Sequence, residues 1–302
     1  MERPYILHMF TPGAQMSPFD VNMAADAGYQ ILTPYCGIGL EAVTGLTQDA
    51  IFSRGPKGVA RTGIFIGGRD VLLAADMLER AKKAMVPPFV VSLFADPSGS
   101  YTTAAGLVAA TEAALRQHHG TDLSGKRVLL LGGTGTVGRI AAVLCAQLGA
   151  TARLSSHKGA AVAQAAASET GQRFGVTLEG VSGRGQDDLR AALADADVVM
   201  GVAAAGVQVM SEADRAHAKR MLVAADVNAV PPEGLAGVGV MDKAKPLADT
   251  RAVGIGALAI GDVKYQVQHR LLVRMRTAEK PVAFGFEEAF SVAREVLAEQ
   301  AG

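Results

Sequence analysis

The segment from Lys126 to Leu148 constrains the fold more than any other. Lys126-Arg127-Val128-Leu129-Leu130-Leu131 is a near-continuous apolar run, the pattern of a strand buried on both faces of a parallel sheet. It leads straight into Gly133-Thr134-Gly135-Thr136-Val137-Gly138, which fits G-x-G-x-x-G, and then into a helical stretch ending near Leu148. In a chain with 35 glycines such a hexapeptide alone says little. A strand before it and a helix after it give it meaning. Gly133 is expected to permit the tight turn, Gly135 to let backbone approach a pyrophosphate, and Gly138 to let helix and strand close up. The helix start then offers unbonded amides and a partial positive charge to phosphates, with Thr134, Thr136 and Val137 in the contact zone. A glycine-rich turn without a ligand is the alternative.

The second strand of this unit ends at Leu154-Ser155-Ser156-His157-Lys158. An NAD-specific site usually places a carboxylate here for the ribose hydroxyls. No acidic residue occurs from Leu123 to Ser168, whereas Lys126, Arg127, Arg139, Arg153 and Lys158 fall in that stretch. Ser155, Ser156, His157 and Lys158 would meet a 2′-phosphate without repulsion, so NADP is favoured. A solvated Lys158 and a site that accepts NAD as well is the other reading.

Strand-like and helical runs alternate on both sides of this unit. Tyr5–Phe10, Ile64–Ile66 and Phe89–Phe94 read as strands, and Asp70–Ala84 and Thr102–His118 as helices. Ser17-Pro18 opens another helix, with Ser17 at the cap and Pro18 at its first position. Thr151–Ser155, Val176–Gly180, Val198–Val202 and Leu222–Ala225 continue the doubly wound pattern. Beyond Gly256 two long helices remain, Asp262–Thr277 and Glu287–Glu299, with no place in a Rossmann sheet. They are expected to pack back on the N-terminal domain. The expected architecture is α/β: a Rossmann-type doubly wound parallel sheet over 121–256, and an N-terminal α/β substrate domain of 1–120 completed by 257–302. The active-site cleft would lie between them.

Composition narrows the function. The 29 basic residues balance the 29 acidic ones, so neither a nucleic-acid surface nor a membrane-surface tether is implied. Cys36 and Cys145 stand alone, which fits neither a disulfide framework nor a metal site. Cys145 reads as a small buried hydrophobe. No apolar run reaches the length of about 18–20 residues that a membrane span needs, and a cytoplasmic location is expected.

Several long strings resemble the methylene-tetrahydromethanopterin dehydrogenases of methylotrophic bacteria. They are Met16-Ser17-Pro18-Phe19-Asp20, the run from Leu46 to Arg54, Phe65-Ile66-Gly67-Gly68, the run from Asp96 to Ala104, Ala225–Pro232, and Gly254–Tyr265. The resemblance spans nearly the whole chain. It is closer to the branch that accepts NAD or NADP than to the strictly NADP-dependent branch, which carries a basic pair where this chain has His157-Lys158. It implies oxidation of N5,N10-methylene-tetrahydromethanopterin to the methenyl form in formaldehyde oxidation, with hydride passing to the nicotinamide. It also implies a homo-oligomer.

The same resemblance raises Asp20 and Lys264 to catalytic candidates, Asp20 for the pterin or the developing cation and Lys264 near the pterin. A first-turn helix acid and a solvated lysine are the bland readings of the two. Ser17, Gln48, Thr102 and Thr103 are candidate pterin contacts, although the two threonines would equally cap a helix. Asn228, beyond a Rossmann strand end, would contact the nicotinamide side of the cofactor or shape the turn before Pro231-Pro232. Arg54 and Lys57, in a Gly/Pro loop, are either surface charges or guides for an anionic cofactor tail. No residue set suggests a metal.

Rival readings remain. A tetrahydrofolate dehydrogenase would perform the same oxidation, but the Tyr-x-x-x-Lys of bifunctional folate enzymes does not occur in the first domain. A shikimate-type dehydrogenase would need a Lys–Asp proton-transfer pair at strand ends, and none is evident. A non-catalytic NAD(P)-binding regulator would not need the polar strings of the N-terminal domain.

Overall fold

The structure, a computed structural model, describes residues 3–301. In chain order the elements begin with strand Ile6–Thr11 (β1), helix Pro18–Asp26 (α1), strand Ile31–Cys36 (β2), helices Val43–Phe52 (α2) and Pro56–Val59 (α3), and strand Thr62–Ile66 (β3). Helix Val71–Ala84 (α4), strand Ser92–Ala95 (β4) and helix Ser100–His119 (α5) follow. Next come Arg127–Leu131 (β5), Thr136–Gln147 (α6), Thr151–Ser156 (β6), Ala160–Phe174 (α7), Glu179–Ser182 (β7), Gln186–Leu193 (α8) and Val198–Gly201 (β8). The chain ends through Glu212–Arg215 (α9), Val223–Asp226 (β9), Lys245–Pro246 (β10), Val253–Ile255 (β11), Ala257–Thr277 (α10), Ala283–Phe284 (β12) and Phe286–Ala301 (α11).

These elements form two compact units. The residues up to Thr102 together with Tyr265–Val292 make the first, and Thr103–Lys264 with the residues from Ala293 make the second.

The first unit is built on a five-stranded sheet in the order β12-β4-β3-β1-β2, with every pairing parallel. All five residues of β3 are buried, as two-sided cover demands. Phe65 and Phe94 meet edge to face at 5.5 Å in the middle of this core. β2 is an outer strand; Pro34 within it and the 42% exposure of Ile31 suit an edge. Of the returning chain, Tyr265–Val292 belongs to this unit, whereas Ala257–Lys264 and the residues from Ala293 group with the second. The Arg276 Nε donates to the Ala27 carbonyl (2.7 Å), β12 pairs with β4, and Phe286 packs edge to face on Tyr101. The short strand β12 was not foreseen.

The second unit carries a seven-stranded sheet in the order β10-β11-β9-β8-β5-β6-β7. Six strands are parallel in Rossmann order, and β10 adds an antiparallel edge. Its core groups Leu129, Leu131, Leu193, Val199, Met221, Ala224 and Leu235. Expectation and structure differ at β7, which starts three residues after Val176. Gly175 takes the left-handed conformation (φ 69°) that ends α7, and the Val176 amide turns back to the Gly171 carbonyl at 3.0 Å. Val176 therefore belongs to the helix cap. Cys145 is buried as expected, and burial, helped by Glu112, pushes its thiol up to about 12.

Candidate active site

The reversal of strand order falls between β5 and β8, and the glycine turn leaves β5 beside it, where open α/β sheets hold ligands. Each glycine has a separate task. Gly132, not Gly133, takes the left-handed backbone (φ 78°), and a Cβ there would lie 2.6 Å from the Ala203 Cα. At Gly133 a Cβ would meet the Leu130 carbonyl at 2.7 Å, and at Gly138 it would lie 2.6 Å from the Gly133 Cα. Gly135 differs: its nearest neighbours would be two carbonyl oxygens at 3.5 and 4.0 Å. The space over Gly135 is left open by the fold itself.

Gly135 is also the N-cap of α6, and no side chain caps this end. The Arg139 amide is the first to bond back, to the Gly135 carbonyl. The amides of Thr136, Val137 and Gly138 have no backbone acceptor among the described residues, so an anion is their natural partner. The turn is braced from below. The Gly133 amide bonds the Ser155 carbonyl (3.1 Å), and the Arg139 Nε bonds the Thr134 carbonyl (3.1 Å). An open glycine, free first-turn amides and a braced turn fit a dinucleotide pyrophosphate.

The end of β6 corrects the electrostatic argument. Arg139 pairs with Glu169 (2.6 Å), while Arg127 and buried Arg153 share Asp195 at 2.7 and 2.8 Å. Three of the five basic residues counted there thus serve the fold. Lys158 and His157 are exposed and have no ion pair among the described residues, and no carboxylate lies in their turn. Ser155 and Ser156 are buried, and the Ser156 Oγ accepts from the Lys158 amide at 3.2 Å.

Asn228 is largely spent on its own loop. Its Oδ1 accepts from the Gly206 and Val230 amides (3.0 Å each), and its Nδ2 donates to the Pro232 carbonyl at 2.7 Å. One side-chain N–H is left over. Buried Asp226 anchors the same loop by accepting from the Asn228 and Leu235 amides, and burial raises its carboxyl above the ordinary range.

In the first unit Asp20 is 4% exposed, and its Oδ1 accepts from the Gln268 Nε2 at 2.7 Å. Gln268 is itself fully buried and lies 248 residues away in the chain. Sequence reasoning missed it; its one signal was a place on the same helix one turn after Lys264. Ser17 occupies the N-cap position of α1, yet its hydroxyl makes no capping bond, so the cap is positional only. Gln48 is half-buried on α2. The Thr102 hydroxyl donates to Asp96 Oδ2 at 2.7 Å, and Asp96 Oδ1 also accepts from the Tyr101 and Thr102 amides. Asp96 is thus the unforeseen cap of α5, and the Thr102 hydrogen is committed to it. Arg54 is a staple as well, donating to the Pro4 and Arg61 carbonyls and to the Thr62 hydroxyl.

In the second unit Thr103 and Lys264 are both half-buried. Gly106, one turn after Thr103, lets α5 lie against α10: a Cβ there would be 3.2 Å from the Ile260 carbonyl and 3.4 Å from the Lys264 amide nitrogen. Among the described residues no group of three or more His, Cys, Asp or Glu side chains could hold a metal ion, and no helix is long and apolar enough to cross a membrane.

Residues 18–98 match the family model described as methylene-tetrahydromethanopterin dehydrogenase, N-terminal. Over 291 residues the chain is 49% identical to the NAD(P)-dependent methylenetetrahydromethanopterin dehydrogenase of Methylorubrum extorquens, covering 96% of this chain and 98% of that one. With the same coverage it is 32% identical to the bifunctional protein MdtA of that organism. Quinate dehydrogenase from Corynebacterium glutamicum in complex with NAD shares 14% identity at a TM-score of 0.51, over 98% of this chain and 99% of its own. A protein described as a malic enzyme (malate oxidoreductase) shares 15% at 0.56, over 97% and 85%. These two structures speak for the fold alone. The relatives speak for the family, and the chain belongs to the methylene-tetrahydromethanopterin dehydrogenases.

Proposed function

We propose that this chain oxidises N5,N10-methylene-tetrahydromethanopterin to the methenyl form with NADP or NAD. The observation that carries this reading is the 49% identity, sustained over 96% of the chain, to a dehydrogenase with that cofactor and substrate in its name. The nicotinamide ring supplies the hydride acceptor. Loss of hydride from a carbon flanked by two nitrogens leaves a self-stabilised amidinium, so the protein's work is to bind, orient, stabilise positive charge and keep water out.

The amides of Thr134, Thr136, Val137 and Gly138, with the open face of Gly135, are assigned to the pyrophosphate, and Gly133 to the tight packing that shapes the turn. Ser155, Ser156, His157 and Lys158 are assigned to the adenosine ribose and, in NADP, its 2′-phosphate. The remaining N–H of Asn228 is assigned to the nicotinamide side. Asp20 is the carboxylate placed against the developing cation, and Gln268 holds it in position. Lys264 binds the polar edge of the pterin, with Ser17, Gln48, Thr102 and Thr103 as further contacts; at Thr102 only the oxygen lone pairs can serve, because the hydrogen goes to Asp96. In this reading residues 1–120 with 257–302 form the pterin domain, 121–256 the NAD(P) domain, and the enzyme works as a cytoplasmic homo-oligomer in one-carbon metabolism.

The test is absorbance at 340 nm with purified protein and either methylene-tetrahydromethanopterin or methylene-tetrahydrofolate, each with NADP and NAD. Turnover with the methanopterin substrate well above the folate supports the reading. A preference for folate would move the substrate, and no turnover with either would contradict the proposal.

A further inference from the structure

We propose that a basic cavity at the amino edge of the first sheet is a second ligand site, built for a small molecule carrying clustered phosphates. The cavity measures about 510 Å³ and is lined by Arg3, Tyr5, Lys57, Arg61, Arg276 and Thr277. That is a usual size for a small-molecule site. Tyr5 immediately precedes β1, Arg61 precedes β3, and Arg276 and Thr277 end α10. The cavity therefore sits where these parallel strands begin. Asp20 follows the opposite end of β1, six residues and roughly 20 Å further at the rise of a strand. The pterin site assigned above is not this cavity.

Four cationic side chains converge here. The Arg61 and Arg276 guanidiniums lie 4.6 and 5.0 Å from the centre of the Tyr5 ring. The Arg61 Nη1 donates to the Arg3 carbonyl (2.6 Å) and the Arg276 Nε to the Ala27 carbonyl (2.7 Å), which fixes both heads in place. Arg3, Lys57 and Arg276 have no carboxylate within ion-pair distance among the described residues; the nearby Glu279 lines a neighbouring cavity. The field is felt behind the cavity too, where burial and the charge of Arg3 hold the Arg54 guanidinium below its ordinary value.

A chain with zero formal net charge has no general excess of cations to distribute, so this is a local concentration. Like charges held together repel. A multiply charged anion removes that repulsion and matches the guanidinium forks, which bind phosphate oxygens two at a time. A monovalent anion would satisfy one head only. The Tyr5 ring is engaged by the guanidiniums, so recognition rests on phosphate and not on base stacking. The phosphates can come from an inorganic polyphosphate or from a nucleoside polyphosphate.

Calorimetric titration of NADP-saturated protein with inorganic pyrophosphate and with ATP tests this. Saturation with NADP fills the glycine turn, and a repeat without NADP separates failure at that turn from failure at the cavity. The expected result is one saturable, salt-sensitive site per chain. It weakens at least tenfold in Arg3→Gln/Lys57→Gln, while circular dichroism and turnover at 340 nm stay at wild-type values. Lys57→Gln alone should show a smaller loss and serves if the double variant misfolds. Equal affinities for the two probes would identify the phosphate chain as the ligand, and tighter ATP binding a nucleotide. Absence of binding by both probes at millimolar concentration, or equal affinity in wild type and variants, would overturn the proposal.

Discussion

In the proposed reading, the groups that meet a ligand around the glycine turn are backbone amides, whereas around Asp20 they are side chains. Gly135 and the first turn of α6 need no distant partner. The relevant spacing is written within seven consecutive residues, and each glycine is accounted for by what a Cβ would strike or, at Gly135, by the space left open. Asp20 accepts a hydrogen bond from Gln268, 248 residues away. A backbone site is a local property of sequence, and a side-chain site is a property of the fold. Substitutions should therefore behave differently in the two regions.

Asp20→Asn should have the largest effect, because it keeps the shape and removes the charge. A fall in kcat of about a hundredfold is expected, the scale of losing one preorganised charge-stabilising group. Gln268→Leu should reproduce part of that loss and alter the pH profile of kcat. Wild-type kcat and KM for the pterin in Asp20→Asn would remove it from the chemistry.

The glycines give the next largest effect and a sharper test. Gly138→Ala drives a Cβ into backbone at 2.6 Å and should destabilise the second unit by about 1–3 kcal/mol. Gly135→Ala meets nothing closer than 3.5 Å, so the protein should melt normally while its affinity for NADP and NAD falls at least tenfold. Similar melting curves and similar cofactor affinities for the two variants would erase the distinction.

A smaller effect is expected at Lys158. Arg127, Arg139 and Arg153 are held in ion pairs, so the proposed function leaves discrimination of the 2′-phosphate to the 156–158 turn. Lys158→Ala should raise KM several-fold for NADP and little for NAD; an equal change for both would take it out of the phosphate site.

The smallest effect concerns stability of the first unit. Burial, with the charge of Arg54, holds the His8 imidazole below its ordinary 6.5. As pH falls through 6.5 the unfolded chain takes up the proton first, so stability present above that value is lost below it. Urea midpoints between pH 7.5 and 5.5 should fall less in His8→Gln than in wild type, and parallel slopes would contradict this origin.

The legibility of the sequence follows the same division. The apolar strand at Arg127–Leu131, the turn and the following helix are local patterns and are found where expected. The count of cations between Leu123 and Ser168 was misleading because sequence does not show that Asp195 absorbs two of them. Gly132 was overlooked because the motif begins one residue later, while positive φ is a demand of the backbone and not of the motif. Val176 has strand character but closes a helix. In the first unit, Asp20 was raised by family resemblance; Asp96 lay in a resembling string but its cap of α5 was not read, and Gln268 went unnoticed because its contact with Asp20 spans 248 residues.

In the proposed reaction hydride passes directly from the methylene carbon to the nicotinamide, and the protein only positions and stabilises. The most direct measurement is mass spectrometry of the reduced cofactor after a single turnover with methylene-tetrahydromethanopterin deuterated at that carbon, in ordinary water. One deuterium per reduced nicotinamide, with no solvent hydrogen incorporated, is the predicted result. Solvent hydrogen at that position would rule out direct transfer and require an acid–base step through a solvent-exchangeable group.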